Sequence, residues 1–378
     1  MRRAFLTTLA IVLLLSGCGG GGESDDAAAS ASPRFWIVGA TAAGNVLLRS
    51  DDGAASWDVV SPGGQVTVAF FVDRDHGWVG GREISRTSDG GVTWERQIFE
   101  SASEHPFVVR DIAFAGQDRG VAVGVLLGQF PFGSESHVIE TSDGGSTWRA
   151  APVAPSSPGS FHAACMGDRG AVLAVGGGGF NSVSSHVRAA RRAADGIWDD
   201  VRELLYLSGA GSMNGALRDV ACVGASELWV VGRRLNYVEL PVEPLSIMHS
   251  RDGGVSWEDE STRSPVRGNA WLEAIDFAAH HGWAVGAEEI GDDDTYATRP
   301  LVLRTVDGGR EWHRVSFPDD RVVELTAVDF GTSDAGLVLG VDANARRRAY
   351  VTDDGGQRWV PVALPAEITD ISDVRAVR

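Results

Sequence analysis

The chain has 378 residues, of which 43% are hydrophobic and 22% are charged, and this composition excludes disorder throughout. The net charge is −18 and all 33 cationic residues are arginine, so the chain is excluded as a general binder of nucleic acid or anionic lipid, because like charges repel. The 48 glycines and 12 tryptophans favour short strands and tight turns, and three cysteines are too few for a disulfide scaffold.

The first residues predict export. Two arginines precede an apolar stretch over residues 4–15, which is shorter than the ~20 residues that a membrane-spanning helix needs. A Leu-Ser-Gly-Cys sequence at residues 15–18 resembles the bacterial lipobox. We therefore expect residues 1–17 to be a lipoprotein signal peptide and Cys18 to carry lipid. An ordinary signal followed by a chance cysteine is the alternative, and the two arginines leave Sec and twin-arginine export both open.

Residues 18–33 are rich in Gly, Ser, Ala and Asp, which is typical of a flexible tether. A lipidated cysteine followed by a tether predicts a soluble domain anchored in the cell envelope, on the periplasmic or the outer surface. In a Gram-negative host, Gly19 after the cysteine would favour the outer membrane.

An eight-residue box, Ser/Thr-x-Asp-Gly-Gly-x-Thr-Trp, recurs along the remaining chain. Its copies lie at residues 87–94, 141–148, 250–257, 305–312 and 352–359, with a weaker copy at 50–57. A gap of twice the usual spacing predicts a seventh, eroded copy near residue 195. The aspartates and tryptophans of the six copies are Asp52, Asp89, Asp143, Asp252, Asp307 and Asp354, and Trp57, Trp94, Trp148, Trp257, Trp312 and Trp359.

A second pattern precedes each box. An apolar strand such as Asp111-Ile112-Ala113-Phe114 is followed by a strand that ends in Val-Gly, so each unit predicts four strands, A to D, with the box between C and D. Four short strands every 40–55 residues are typical of a propeller. The first unit starts at strand B, and residues 368–374 have strand-A character. We therefore predict a single all-β domain over residues 34–378, a seven-bladed β-propeller of four-stranded antiparallel blades that the C-terminal strand closes by joining blade 1.

The box resembles the Asp-box (BNR) repeat, and the combined frame is most similar to photosystem II assembly-factor-like propellers, with sortilin-type receptors as more distant relatives. Members of the assembly-factor group help to assemble membrane protein complexes. The resemblance thus implies a membrane-anchored, non-catalytic binding or assembly scaffold. Its expected partners are protein or glycan at the cell envelope, and the chain is expected to be a monomer that binds no nucleic acid.

The box residues are expected to be structural. The glycine pair permits positive φ, and the aspartate can accept backbone N–H bonds across the turn. Six equivalent copies spread around a ring cannot converge on one substrate. We therefore expect no catalytic role, no metal and no cofactor.

Two cysteines stand on strand A of successive blades. Cys165 and Cys222 are expected to replace the phenylalanine that other blades carry there, as at Phe114. A disulfide between them and two free thiols are both compatible with the spacing, and an oxidising compartment permits the bond.

One end of the ring is predicted to carry the binding surface. The long connections are almost all B–C or D–A, which emerge on the same end of a four-stranded blade, and function usually lies in such loops. Aromatic and arginine side chains dominate protein interfaces. The predicted binding rim, whose rings could alternatively pack only their own loops, consists of Phe130, Phe132, Phe180, Tyr206, Arg233, Arg234, Tyr237, Trp271, Tyr296, Arg346, Arg347 and Arg348.

The alternative function is that of a glycoside hydrolase of the sialidase type. That chemistry needs an arginine cluster, a Tyr–Glu pair and an acidic aspartate. The Arg-Ile-Pro motif of that family is absent, and Tyr237 with Glu239 is one candidate pair among only four tyrosines. Xyloglucan-cleaving enzymes, which have two propellers, are excluded by length.

Overall fold

The structure is a computed structural model that describes residues 32–99, 107–126, 135–153, 161–177, 187–193, 196–200, 216–233, 245–266, 269–291 and 297–377. These residues form seven sheets of the predicted antiparallel blades. In the described chain the single helix is a 3-10 turn at Ser261–Arg263, and no helix is long and apolar enough to cross a membrane.

The strands follow one another blade by blade. Blade 1 contains β1 (Arg34–Thr41), β2 (Gly44–Ser50) and β3 (Asp58–Val60). Blade 2 contains β4 (Val66–Phe71), β5 (Gly77–Gly81), β6 (Ile84–Thr87) and β7 (Glu95–Arg96). After β8 (Ile98–Phe99), blade 3 contains β9 (Phe107–Ala115), β10 (Arg119–Leu126), β11 (Glu135–Thr141) and β12 (Thr147–Ala150). Blade 4 contains β13 (Phe161–Met166), β14 (Val172–Gly177), β15 (Val187–Arg192) and β16 (Trp198–Asp200).

The remaining blades repeat this order. Blade 5 contains β17 (Ala216–Val223), β18 (Glu227–Arg233), β19 (Leu245–Ser250) and β20 (Glu258–Asp259). Blade 6 contains β21 (Ala270–Ala278), β22 (His281–Ile290), β23 (Ala297–Thr305) and β24 (His313–Val315). Blade 7 contains β25 (Val322–Phe330), β26 (Gly336–Asp342), β27 (Arg347–Thr352) and β28 (Val360–Pro361). The last strand is β29 (Asp370–Val377). The short β8 adds in parallel to β12 at the outer edge of blade 3.

The C-terminal strand closes the ring, which confirms the predicted topology. β29 pairs antiparallel with β1 and is the inner strand of blade 1. The inner strands then contact each other in a circle, from β29 to β4, β9, β13, β17, β21, β25 and back to β29. Closure gives every blade a neighbouring blade on both of its faces.

The hydrophobic core lies between the blades. Seven buried clusters each join two neighbouring blades, because a blade can cover its faces only with the next blade. Strand B is apolar on both faces for this reason. Its tryptophan stacks on the inner strand of the following blade, as Trp78 does on Phe114 at 3.5 Å between ring centroids and Trp283 on Phe330 at 3.4 Å.

Candidate functional site

The Asp boxes and the A–B turns lie at one end of the ring, which we call the box face. In five of the boxes the first glycine donates its N–H to a carbonyl of the A–B turn of the same blade, as Gly90 does to Asp75 at 2.9 Å and Gly144 to Asp118 at 2.8 Å. The B–C and D–A connections therefore emerge at the opposite end, which we call the loop face.

Each box pairs its aspartate and its first hydroxyl within its own turn. In blade 3 the Thr141 hydroxyl donates to Asp143 at 2.8 Å, and Asp143 also accepts the N–H of Thr147 at 2.9 Å. The Thr141 oxygen in turn accepts the N–H of Gly145 at 2.8 Å. Hydrogen bonds from Ser56 likewise lower the pKa of Asp52 to about 2. The box aspartates are thus occupied in holding turns, far from one another around the ring.

Every inner strand contains a β-bulge near its loop-face end. A bulge inserts one unpaired residue and re-aims its side chain. We call the ring of these bulged residues the mouth of the central channel. It consists of Thr67, Arg110, His162, Arg218, Glu273, Thr326 and Ser372, and β25 has a second register shift, at Val323, that is not counted in the ring.

Charged groups of blades 5, 6 and 7 meet at the mouth. Arg218 forms an ion pair with Glu273 at 3.4 Å between Nε and Oε2. The guanidinium of Arg233 lies over the indole of Trp271, 4.3 Å from the ring centroid. The Trp271 N–H donates to Glu324 at 2.6 Å. Two arginines and two glutamates therefore surround one tryptophan at the loop face.

Glu273 is poised to change charge near neutral pH. Burial raises its pKa to about 7, and Glu324 adds to the rise, while Arg218 and Arg233 lower it. Its side chain is 18% exposed and that of Arg218 is 39% exposed, so the pair lies at the border between the channel and solvent.

Beneath the mouth, carboxylates fasten one inner strand to the next. Directly after three of the bulges, an aspartate accepts an N–H of the following blade. These bonds are Asp373 to Ala69 at 3.0 Å, Asp111 to Ala164 at 2.9 Å and Asp219 to Ile275 at 2.9 Å. Two residues further along the strand, Asp276 accepts from Phe330 at 2.7 Å and Asp329 from Ala376 at 2.8 Å.

Four of these aspartates, Asp111, Asp219, Asp276 and Asp329, line a central cavity of about 290 Å³ together with Arg375. Burial raises the pKa of Asp111 to about 6 and that of Asp219 to about 7; Asp373 adds to the rise at Asp111, and Asp111 adds to the rise at Asp219. Burial and Asp276 hold the pKa of Asp329 well above its ordinary value. Burial opposes the charge on Arg375, but Asp373 and Asp329 outweigh it and raise its pKa. The cavity is therefore acidic, with Arg375 as a central counter-ion.

The two remaining cysteines line the same cavity and are bonded, Cys165 to Cys222, with 5.6 Å between their Cα atoms. The expected register is wrong for one of them. Cys222 occupies the phenylalanine position, but Cys165 pairs with Leu173 and lies one residue earlier, where blade 6 has Asp276. Met166 is the residue at the phenylalanine position of blade 4, since it lies four residues after the bulge at His162, as Phe114 does after the bulge at Arg110.

The predicted binding rim is described only in part. Seven of its residues, with Cys18 and the proposed Tyr237–Glu239 pair, lie outside the described residues: Phe130, Phe132, Phe180, Tyr206, Arg234, Tyr237 and Tyr296. Trp271 is not an exposed ring, since it is 6% exposed beneath Arg233. Arg347 and Arg348 on the blade 7 hairpin pair with Asp370 and Asp342, and Arg346 is exposed beside them.

The described residues of the cavity and Tyr350 do not form the group of side chains that the sialidase-type alternative requires. Among the described residues that line the cavity, Arg375 is the one arginine, so a sialic-acid-type arginine cluster is not assembled there. Tyr350 donates its hydroxyl to Asp319 at 2.7 Å, on the outer part of blade 7, and has no glutamate partner in the described chain.

Sequence reasoning overlooked the mouth and the aspartates beneath it. Asp111, Asp219, Asp276, Asp329 and Asp373 each precede an apolar residue on strand A, and this recurrence was a visible signal. Arg218, Glu273 and Glu324 have no such signal in the sequence, because only the bulges bring residues of three blades together.

Comparison with known proteins gives the same architecture. The family model for "Photosynthesis system II assembly factor YCF48" matches residues 64–175 and 212–359, which is more than half of the chain. The photosystem II stability/assembly factor HCF136 of Arabidopsis thaliana chloroplasts is 25% identical over 344 residues, which cover 78% of this chain and 79% of the relative.

A cyanobacterial relative and a solved structure agree with this match. The photosystem II assembly lipoprotein Ycf48 of Synechococcus sp. (strain CC9902) is 32% identical over 128 residues, which cover 33% of this chain and 31% of the relative. The structure of YCF48 from Cyanidioschyzon merolae has the same fold, with a TM-score of 0.50 and 17% identity over 80% of this chain and 85% of that one. The seven-bladed Asp-box propeller described here therefore belongs to the YCF48 family of photosystem II assembly factors.

Proposed function

We propose that the protein is a non-catalytic scaffold for the assembly of a membrane protein complex, and that it binds a partner protein at the mouth on the loop face. Family membership supports the scaffold role. The observation that carries the site is the cluster of Arg218, Arg233, Trp271, Glu273 and Glu324 from three blades. The box face has an ion-pair cluster of Arg34, Arg49 and Arg74 around Asp51, but it joins only blades 1 and 2, whereas the mouth cluster joins three blades.

Binding is the chemistry that this cluster supports best. Arginine stacked on tryptophan presents a flat, partly desolvated cation, and such groups are enriched at the centres of protein interfaces. The ion pair between Arg218 and Glu273 sits in a rigid ring of bulges, so the surface needs little ordering when a partner binds.

A crosslinking experiment tests the surface. A photoreactive amino acid at Thr326 of the mouth, introduced into the full-length protein in its own host, should crosslink one membrane protein reproducibly. The same group at Arg358 on the box face, whose side chain is 70% exposed, is the control and should not. Crosslinks of equal yield from both faces would contradict the proposed site.

A charge-swap series separates binding from folding. Arg218→Glu should reduce the Thr326 crosslink at least tenfold, because it removes a cation and places a third carboxylate beside Glu273 and Glu324. The double variant Arg218→Glu/Glu273→Arg should recover thermal stability by restoring an ion pair, without recovering the crosslink. Turnover of sialosides or xyloglucan by the purified protein, with no crosslinked partner, would support the hydrolase alternative instead.

We further propose that Cys18 is lipidated after removal of residues 1–17 and that the lipid anchors the propeller in the cell envelope. The Leu-Ser-Gly-Cys sequence supports this anchor, and the Synechococcus relative is itself named a lipoprotein. Metabolic labelling with an alkynyl fatty acid should mark the wild-type protein, and Cys18→Ser should lose both the label and the membrane fraction. A Cys18→Ser protein that remains in membranes would contradict the anchor.

A further inference from the structure

The seven interfaces between inner strands are fastened at equivalent positions. If residues are counted from each bulge, five interfaces have an aspartate that accepts an N–H of the next blade. At the interface of blades 2 and 3, Phe70 instead packs against Phe114, 6.2 Å between ring centroids. The interface of blades 4 and 5 carries the disulfide.

The disulfide joins the same two positions as two of the carboxylate links. Cys165 lies three residues after its bulge, as Asp276 and Asp329 do, and Cys222 lies four residues after its bulge, as Phe330 and Ala376 do. Blade 4 has Ala163 at the other aspartate position. The covalent bond therefore replaces a hydrogen bond to a carboxylate, at an interface where blade 4 supplies no carboxylate at either position.

Cleavage of this bond would change the positions of residues at the mouth. Cys222 and Arg218 are on the same strand, β17, four residues apart, which is roughly 13 Å along a strand. Cys165 and the bulged His162 are likewise both on β13. Asp111 and Asp219 belong to the blades on either side of blade 4, and their mutual repulsion favours separation of β13 and β17 once the bond is broken.

We propose that the Cys165–Cys222 disulfide is a redox-controlled fastening of blades 4 and 5 that sets the position of Arg218 at the mouth, and that a small-molecule thiol is its reductant. The thiolate attacks one cysteine sulfur and forms a mixed disulfide, while the other sulfur leaves as a thiolate and takes up a proton. A second thiol then releases the first cysteine as a thiol. In total two thiols are oxidised to one disulfide, and two electrons and two protons reach the cysteines.

The site is open to such a reagent because both cysteines line the cavity of about 290 Å³. The regulatory part of this inference rests on the proposed partner binding at the mouth, whereas the fastening itself does not. The two parts therefore need separate measurements.

Hydrogen–deuterium exchange of the full chain, in a Cys18→Ser background, tests the fastening. Dithiothreitol should increase amide exchange in β13 and β17 about tenfold or more and leave β21 and β25 unchanged. Thiol titration of the untreated, denatured protein should find no free thiol. Two free thiols in the untreated protein, or unchanged exchange after full reduction, would overturn the proposal.

A designed link provides the matched control. Cys165→Asp/Cys222→Ala places a carboxylate where blades 6 and 7 have Asp276 and Asp329, so it should restore a link to the N–H of residue 222. This variant should show slow exchange in β13 and β17 that dithiothreitol does not change. Cys165→Ser/Cys222→Ser should instead exchange fast with and without reductant. If the serine variant does not fold, the aspartate variant still decides the question, because equal sensitivity of its exchange to dithiothreitol would refute a role for the bond.

The Thr326 crosslink tests the regulation. Its yield should fall at least fivefold in reduced wild-type protein and stay constant in the aspartate variant. An unchanged yield, together with faster exchange in β13 and β17, would overturn the control of the mouth. Absence of the crosslink from the oxidised protein would overturn the proposed binding site, while the exchange data would still decide whether the bond fastens the blades.

Discussion

At the scale of single residues, the boxes depend on a positive φ that glycine adopts without strain, and in the weak box Ala54 takes the second glycine position with φ of +72°. Gly91 has φ of +84°, and a Cβ there would lie 2.8 Å from Cη2 of the fully buried Trp36. Gly53, at the first glycine position of the weak box, has φ of +74° and open space around it. Comparison of alanine substitutions at the two positions therefore separates the cost of backbone strain from the cost of a steric clash with Trp36.

Gly91→Ala should lower the free energy of unfolding by about 2–3 kcal/mol, since it adds overlap with a ring that cannot move to the strain of a positive φ. Gly53→Ala should cost only about 1 kcal/mol, because strain acts alone. Urea unfolding of both variants measures the difference. Equal losses would mean that Trp36 repacks without cost.

Arg375 is the residue on which the acidic cavity depends. Its guanidinium lies 2.8 Å from Asp373, 3.7 Å from Asp111 and 3.9 Å from Asp329. Arg375→Met should destabilise the protein by about 3–5 kcal/mol at pH 8, since it leaves mostly buried carboxylates without a counter-ion. The loss should shrink at pH 5, because burial raises the pKa of each of these carboxyls and so favours their neutral form as pH falls. Denaturant unfolding at the two pH values tests this, and a loss that is independent of pH would point to packing rather than charge.

At the scale of the strand, bulges and links set the register between blades. Counted from the bulge at His162, Cys165 stands in the position that carries an aspartate in blades 6 and 7, and the sequence of blade 4 alone, without that aspartate or the phenylalanine, does not reveal this alignment. Strand existence and order could be predicted because each strand contains a short apolar run beside a turn. Bulges depend on pairing with a neighbouring strand, so they could not.

The link between β25 and β29 gives a prediction at this scale. Asp329→Asn keeps an oxygen for the Ala376 N–H and removes a charge from the cavity, so it should leave stability at pH 8 unchanged or slightly higher. Asp329→Ala removes the acceptor and should cost about 1–3 kcal/mol. Thermal and denaturant unfolding compare the two. A strongly destabilised asparagine variant would show that the charge itself is needed beside Arg375.

At the scale of the whole molecule, the cavity and the boxes give opposite dependences on pH. A carboxyl whose pKa is raised by folding binds its proton more tightly in the native state, so stability increases as pH falls through that pKa. Asp219 and Glu273, near 7, and Asp111, near 6, act in this direction. Asp52, whose pKa is lowered to about 2, acts in the opposite direction, because its contribution to stability is lost as pH falls below 3.8, its pKa in the unfolded chain.

The free energy of unfolding should therefore rise as pH falls from about 8 to about 5 and decrease again below about 4. His249, whose pKa burial lowers to about 4, opposes the rise below its ordinary value of 6.5, but it is one group against several carboxyls. Urea unfolding across this range measures the profile. The double variant Asp111→Asn/Asp219→Asn is the control and should flatten the rise, and a wild-type profile without a rise would contradict the acidic cavity.

The sequence by itself determined the seven four-stranded units, the turns at the boxes and the closure by the C-terminal strand. Each of these follows from a local pattern of strand and turn residues, and the six copies of the box made that pattern recognisable. Only the tertiary structure decided which residues meet at the channel. Arg218, Glu273 and Glu324 are about 50 residues apart along the chain, and the Cys165–Cys222 bond joins two blades. Their proximity depends on closure of the ring and on a bulge in every inner strand, which are properties of strands packed against one another rather than of any one segment.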